Sequence, residues 1–285
     1  MTGRVGVVVT TYRWPEALRL ALTGYACQQR PPDEVVVADD GSGPETAAVV
    51  RELAGTCGFP LRHVWQEDRG FRKTEILNRA IRATRCEYLV FTDGDCVPRR
   101  DFLAVHAGLA RPGRFLSGGC VRLGPAASAA LTPEAVRSGR AFSTGWLRAH
   151  EPVGARRSLR LLPAGTLPGL LDAVTPTRAT WNGMGSSTWR EALERVNGFD
   201  LELVHGGLDR ELGARLQNAG LRGRQVRHRA VLLHLHHERP WADPAAMARQ
   251  RAYRALVRRT GRVRAIRGLS EVDAPVPPPR GGERA

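Results

Sequence analysis

Lysine is almost missing from this chain: of its 43 basic residues, Lys73 is the one lysine and the rest are arginine. Where lysine is otherwise replaced throughout, the survivor marks a place suited to a compact point charge rather than a planar guanidinium. Cysteine is also scarce. Cys27, Cys57, Cys86, Cys96 and Cys120 are odd in number, scattered and never spaced C-x-x-C. That excludes a disulfide framework or a cysteine zinc site and leads to the expectation of a reducing cytoplasm. Cys96 stands beside an acidic motif and reads as a small buried filler. No apolar run approaches the roughly 18 to 20 residues needed to span a bilayer. The N-terminus enters a strand-length run, Val5–Val9, without a signal-peptide cleavage pattern, so the chain is expected to stay cytoplasmic. Aromatic residues are only 6% and are not interleaved with the arginines. The chain carries no RNA- or DNA-binding motif, so its net charge of +15 does not point to nucleic acid.

The positive charge is concentrated late. From Arg249 onward there are ten arginines against Glu271, Asp273 and Glu283, a surplus of seven. Arg251, Arg254, Arg258 and Arg262 recur at three- and four-residue spacing, which gives a helix a basic face. Peripheral contact with an anionic membrane through this segment is therefore expected.

At 285 residues, 42% of them hydrophobic, the chain suits one large α/β domain. Short β-rich runs at 5–10, 34–39, 61–66, 87–92 and 115–121 alternate with helix-period segments at 15–29, 45–56, 73–84 and 101–110. Such alternation predicts a mostly parallel sheet flanked by helices. Thr132-Pro-Glu opens a helix towards His150, and the Pro- and Gly-rich stretch 156–180 reads as a long loop. Helices at 188–196 and 209–219, a strand at 229–234 and a basic helix at 244–260 complete the pattern. The expected organisation is an N-terminal ligand-binding half over 1–121, a second half of the same domain over 122–240, a basic helical extension over 241–270, and an unstructured tail over 271–285.

Three polar clusters directly follow three predicted strands: Thr10-Thr11-Tyr12, Asp39-Asp40-Gly41-Ser42 and Asp93-Gly94-Asp95. Each alone could be a turn. Together they line the carboxyl edge of a parallel sheet, where such folds bind ligands. Asp93-Gly94-Asp95 is a D-x-D motif whose two carboxylates can face one ion while glycine admits a close backbone. Hard oxygen ligands suit Mn²⁺ or Mg²⁺, with diphosphate oxygens completing the shell.

These residues carry a resemblance to the family 2 glycosyltransferases and their nucleotide-sugar-binding GT-A fold. The matching segments are Val7–Tyr12, Val35–Ser42, Gly70-Phe-Arg-Lys73 with Leu77-Asn78, and Phe91–Asp95. The Gly-Phe-Arg-Lys segment is most similar to the bacterial chondroitin-polymerase-type branch. Trp181–Ser187, Val196–Asp200 and Gly206–Leu212 resemble the C-terminal, acceptor-binding half of galactosyltransferase-type enzymes.

The resemblance implies an inverting transfer of a sugar from a nucleotide diphosphate donor, UDP above all, to a hydroxyl acceptor such as a glycan, a lipid-linked sugar or a small molecule. Thr10, Tyr12 and Asp39 or Asp40 would hold the uridine base and ribose. Asp95 would be the carboxylate most directly on the metal, with Asp93 supporting it, and Arg72, Lys73 and Asn78 would belong to the donor side. Trp181 and Asn182 would line the sugar pocket, though Trp181 equally suits a core. Asp209 would be the general base. The family pattern has Glu-Asp there and this chain has Leu208-Asp209, which leaves acceptor identity open. After the last strand, His234, His236 and His237 all qualify as metal ligands. Alternation puts His234 and His236 on one face, and His234 is preferred because it ends the apolar run. A nucleotidyltransferase would need a glycine-rich loop after the first strand, where Thr11-Tyr12-Arg13-Trp14 stands. The alternatives are a non-catalytic nucleotide-sugar binder, which Leu208 suggests, and a basic nucleic-acid-binding protein, which would bind in a salt-dependent way without Mn²⁺.

Overall fold

The computed structural model describes residues 3–163, 165–203, 207–238 and 244–273. Its N-terminal half alternates strand and helix as the sequence predicts. β1 (Val5–Thr11), β2 (Glu34–Asp39), β3 (Leu61–Trp65) and β4 (Tyr88–Asp93) are joined through α1 (Pro15–Ala26), α2 (Pro44–Ala54) and α3 (Lys73–Ala83). Proline opens α1 and α2, where its missing N–H costs nothing. β1 and β2 are buried along their whole length, which is why they read as near-continuous valine runs. Alternation still divides the side chains. Val8 joins the core beneath α3, with Ile76, Phe91 and Trp181, while Val5, Val7 and Val9 join the opposite core of Leu18, Leu22, Tyr25 and Phe102.

Beyond β4 come β5 (Cys96–Pro98), α4 (Phe102–Leu109), β6 (Arg114–Ser117), β7 (Gly119–Arg122), α5 (Pro125–Ala129), α6 (Pro133–Arg137), α7 (Thr144–His150), α8 (Ala155–Arg160), α9 (Thr166–Val174), β8 (Ser186–Trp189), α10 (Arg190–Arg195), α11 (Leu208–Asn218), β9 (Arg222–Gln225), β10 (Val231–His234) and α12 (Pro244–Thr260). A seven-stranded sheet runs β3-β2-β1-β4-β8-β6-β9, and a three-stranded sheet runs β5-β10-β7. In the large sheet only β8 is antiparallel to its neighbours, β4 and β6.

Several expectations are corrected here. The single strand predicted over 115–121 is two, because the chain leaves the large sheet at Gly118 and enters the small one. A Cβ at Gly118 would lie 2.8 Å from the Gly185 carbonyl oxygen, and one at Gly119 would lie 2.5 Å from that of Arg227, so the crossing needs both glycines. The helix expected from Thr188 begins two residues later. Ser186, Ser187 and Thr188 instead form a buried strand, with Ser187 Oγ bonded to Tyr88 Oη and His106 Nδ1. The helix towards His150 is broken at Gly139, whose φ of 77° lies in the left-handed region. Thr132 caps its first piece by accepting from Ala135 N. The stretch 156–180 is not a structureless loop but carries α8 and α9. β9 (Arg-Gly-Arg-Gln) has no apolar alternation to mark it in the sequence. The basic helix spans the predicted residues as α12. Of the tail expected to lack structure, 274–285 lie outside the described residues, whereas Glu271 closes a 3-10 turn begun at Leu269. Among the described residues no helix is long and apolar enough to cross a membrane, and all five cysteines are free.

Candidate active site

The carboxyl ends of β1 and β4, the end of β10 and the starts of α3 and α11 surround a cavity of about 830 Å³. The acidic motif forms its floor. Gly94 N donates to the Thr10 carbonyl oxygen at 2.6 Å, and a Cβ at Gly94 would lie 2.9 Å from that oxygen. Glycine therefore lets the turn after β4 fold against β1. Asp93 Oδ1 accepts from Thr10 Oγ1 at 2.8 Å and from Lys73 Nζ at 2.5 Å. Burial opposes the ionisation of Asp93, but the Lys73 charge and these bonds prevail and hold its pKa below the ordinary range. Burial alone would lower Lys73; the facing carboxylates of Asp93, Asp209 and Asp95 raise it instead. The one lysine of the chain thus lies where three carboxylates converge.

Asp95 is tied to β10 through its carbonyl oxygen, which accepts from Leu235 N at 2.9 Å. Its Oδ2 lies 3.3 Å from His237 Nε2 and 3.8 Å from His234 Nε2. Asp95, His234 and His237 each offer one ligand atom, all within 4.8 Å of one another. Two imidazoles and a carboxylate suit a divalent cation. The strand ends at His234 and the extended alternation ends with it, so His237, not His236, comes alongside. The His234 and His237 rings stack at 5.3 Å. His236 is exposed, with its backbone N donating to Ser128 Oγ. Cys96 also borders Asp95, but burial and then the Asp95 charge push its thiol pKa well up, leaving it a protonated filler.

Asp209 lies in the first turn of α11 and lines the same cavity. Burial raises its pKa to about 6, Lys73 pulling it down and Asp93 pushing it up. Its Oδ1 is buried without a hydrogen bond, and a Cβ at Gly183 would lie 2.9 Å from that atom. Leu208 points the other way, into the core. Glu211, two residues further on, is fully buried and bonded to Arg215 at 2.6 and 2.9 Å, so it does not face the cavity.

At the other end of the cavity Asp40 Oδ1 accepts from Gln66 Nε2 at 2.5 Å and Oδ2 from Arg72 N at 3.0 Å. Burial lifts Asp40 to about 6 despite those bonds. Tyr12 is half exposed at the rim and donates to Asp68 Oδ2, as does Arg13, whose φ of 48° is unusual for a side-chain-bearing residue. Asp68 had no signal in the sequence.

The structure does not bring the remaining expected residues to the cavity wall. Asp39 lies behind Asp40, accepting from Ser42 N at 2.8 Å and contacting His63 Nε2 at 2.9 Å. Arg72 turns to Glu75 and the Glu67 carbonyl oxygen. Asn78 is fully buried, donating to Phe199 O and accepting from Phe199 N, both at 2.8 Å, so its amide is consumed in joining α3 to the turn after α10. Trp181 is a core residue against Phe91 and Phe115. Asn182 bonds Ser186 and Ser117.

Beside α11 packs α12, held by Asn218 Nδ2 on the carbonyl oxygens of Val257 and Arg262. Arg254 sits among Arg258, Arg210 and Arg251; burial and these like charges lower its pKa.

Comparison with known proteins accords with this geometry. Residues 6–122 match the family model described as glycosyl transferase family 2. Over 95 residues, 33% of this chain and 14% of the relative, the chain is 30% identical to a chondroitin synthase of Escherichia coli. It is 33% identical over 127 residues to a validoxylamine A glucosyltransferase of Streptomyces hygroscopicus subsp. limoneus, spanning 42% of this chain and 27% of that one. Among solved structures, the mannosyltransferase PcManGT from Pyrobaculum calidifontis, in complex with GDP-Man and Mn²⁺, is 25% identical with a TM-score of 0.55, covering 90% of this chain and 63% of that one. The chain thus spans well under a third of these curated relatives and just under two thirds of that structure. The class it resembles is the family 2 glycosyltransferases with a GT-A fold. Within that class its N-terminal part is similar to the chondroitin-synthase branch.

Proposed function

We propose that the chain is a metal-dependent, inverting glycosyltransferase that takes a nucleotide diphosphate sugar as donor and a hydroxyl as acceptor. One observation carries this reading: Lys73, Asp93, Asp95, Asp209, His234 and His237, drawn from four separate segments, all line one cavity at the carboxyl edge of the sheet. The match to the family 2 model and the mannosyltransferase neighbour with GDP-Man and Mn²⁺ support it.

The residues divide by chemistry. Thr10, Tyr12 and Asp40 form the base and ribose end, uridine being the base that the family resemblance implies. Asp95, His234 and His237 would hold the ion, and the two imidazoles favour Mn²⁺ over Mg²⁺. Such an ion, when bound, neutralises charge on the diphosphate. Lys73 supplies a fixed point charge beside it, and Asp93 orients the ammonium through the 2.5 Å bond. Asp209 takes the proton from the acceptor hydroxyl. The acceptor oxygen then forms its bond to the anomeric carbon from the face opposite the diphosphate, and the bond from that carbon to the diphosphate oxygen breaks. A carboxylate with a pKa of about 6 is ionised at neutral pH and still basic enough for this transfer. Leu208 is buried in the core while Asp209 faces the cavity, which supports a working base rather than a non-catalytic binder.

A panel of UDP-, GDP- and dTDP-sugars, screened with Mn²⁺ by thermal stabilisation and then for transfer or donor hydrolysis, tests the proposal. A true donor at about 100 times its Kd adds about 2.7 kcal/mol. Stabilisation by GDP-sugars alone would move the base assignment, and a flat response to every donor would remove the reading.

A further inference from the structure

Four of the seven large hydrophobic side chains that stand exposed among the described residues fall between 159 and 174, on α8 and α9. Leu167, Leu170 and Val174 are 51%, 59% and 62% exposed, and Leu159 is 41% exposed. The first three recur at i, i+3 and i+7, so they form one stripe along α9. The opposite side of α9 is fixed by polar bonds. Asp172 Oδ1 accepts from His228 N at 2.8 Å, and Oδ2 accepts from Arg229 Nε at 2.7 Å. Asp172 is the one acid between residues 155 and 178, against Arg156, Arg157, Arg160 and Arg178. Arg156 and Arg178 are exposed, and Arg224, Arg227 and Arg229 lie around Asp172. The stripe therefore projects from a basic collar.

We propose that α8 and α9 form a peripheral docking element for an anionic lipid surface, with Leu167, Leu170 and Val174 entering the headgroup boundary and the arginine collar meeting lipid phosphates. Charge complementarity selects this occupant. Two copies of the chain meeting through this face would set one arginine collar against another, on molecules each carrying +15. An anionic bilayer instead accepts the leucines and neutralises the arginines together. The basic helix α12 lacks the apolar half of that combination: among its described residues Met247 is the one exposed large hydrophobic side chain. The element is independent of the transferase reading, since none of its residues lines the cavity.

Cosedimentation of the full chain with phosphatidylcholine vesicles, with and without about one third phosphatidylglycerol, tests the proposal. The expected result is binding to the anionic vesicles, reduced at least about tenfold in the Leu167→Ser/Leu170→Ser double variant and several-fold in Arg156→Glu. Melting curves of both variants should match the parent, because the altered side chains already face water. The α12 variant Arg251→Glu/Arg258→Glu should retain most of the binding. Parent-like binding by the double leucine variant would overturn the proposal, as would absence of binding by the parent. A parent dimer in lipid-free sedimentation velocity that the leucine substitutions dissolve would assign the face to self-association instead.

Discussion

Replacing Asp209 by asparagine separates the proposed catalytic role of this carboxylate from its structural cost. The side chain keeps its shape, but the group that would take the acceptor proton is gone, so transfer should fall about 10²- to 10⁴-fold. Stability should move the other way. Burial raises the carboxyl from its ordinary 3.8 to about 6, so the folded state disfavours the ionised form. A raised carboxyl contributes its full stability below pH about 4 and loses it as pH rises through about 6. The difference of about two pH units corresponds to at most about 3 kcal/mol, and the solvent reaching the cavity reduces this to about 1–3 kcal/mol. In EDTA, Asp209→Asn should therefore melt with the parent near pH 4 and several degrees above it at pH 7.5. The kcat/KM of the parent should drop about tenfold between pH 7 and pH 5, on the assumption that the free-enzyme base sets the acid limb. Parent-like turnover by Asp209→Asn would refute the assignment. A lower melting point than the parent at pH 7.5 would refute the electrostatic reasoning.

Glu211→Gln should lower stability by about 3–5 kcal/mol in thermal or denaturant melts, because it strips a charged partner from the buried Arg215 guanidinium. Folded Glu211→Gln should still bind donor, which distinguishes a core pair from a second base. His237→Ala should weaken Mn²⁺-supported UDP binding about tenfold or more, whereas His236→Ala should leave it unchanged, as read by calorimetry.

β1 and β2 were legible because buried parallel strands leave uninterrupted valine runs, and proline marks the starts of α1 and α2; α3 shows in its helical period alone. The clusters at the sheet edge supplied Thr10, Tyr12, Asp40, Asp93 and Asp95, the scarcity of lysine supplied Lys73, and the family resemblance supplied Asp209 and His234; all eight line one cavity. What escaped depends on contacts distant in sequence. β8 is polar by composition and is a strand only because β4 and β6 flank it. Asn78 and Phe199 are 121 residues apart, so nothing local reveals that the Asn78 amide is already occupied. His237 was open to choice, but extended alternation favoured His236, and only the end of β10 at His234 reverses that preference. α8 and α9 were hidden by proline and glycine, which usually signal loops, and Pro168 and Gly169 do lie inside α9.

The central claim is that one cavity binds a nucleotide diphosphate through a cation held by Asp95 and its two histidine neighbours. Calorimetric titration of UDP into the chain with Mn²⁺, into the chain with EDTA, and into Asp95→Ala with Mn²⁺ addresses it most directly. The account predicts binding in the first titration and a loss of at least about tenfold in the other two. Equal affinity in all three would contradict it.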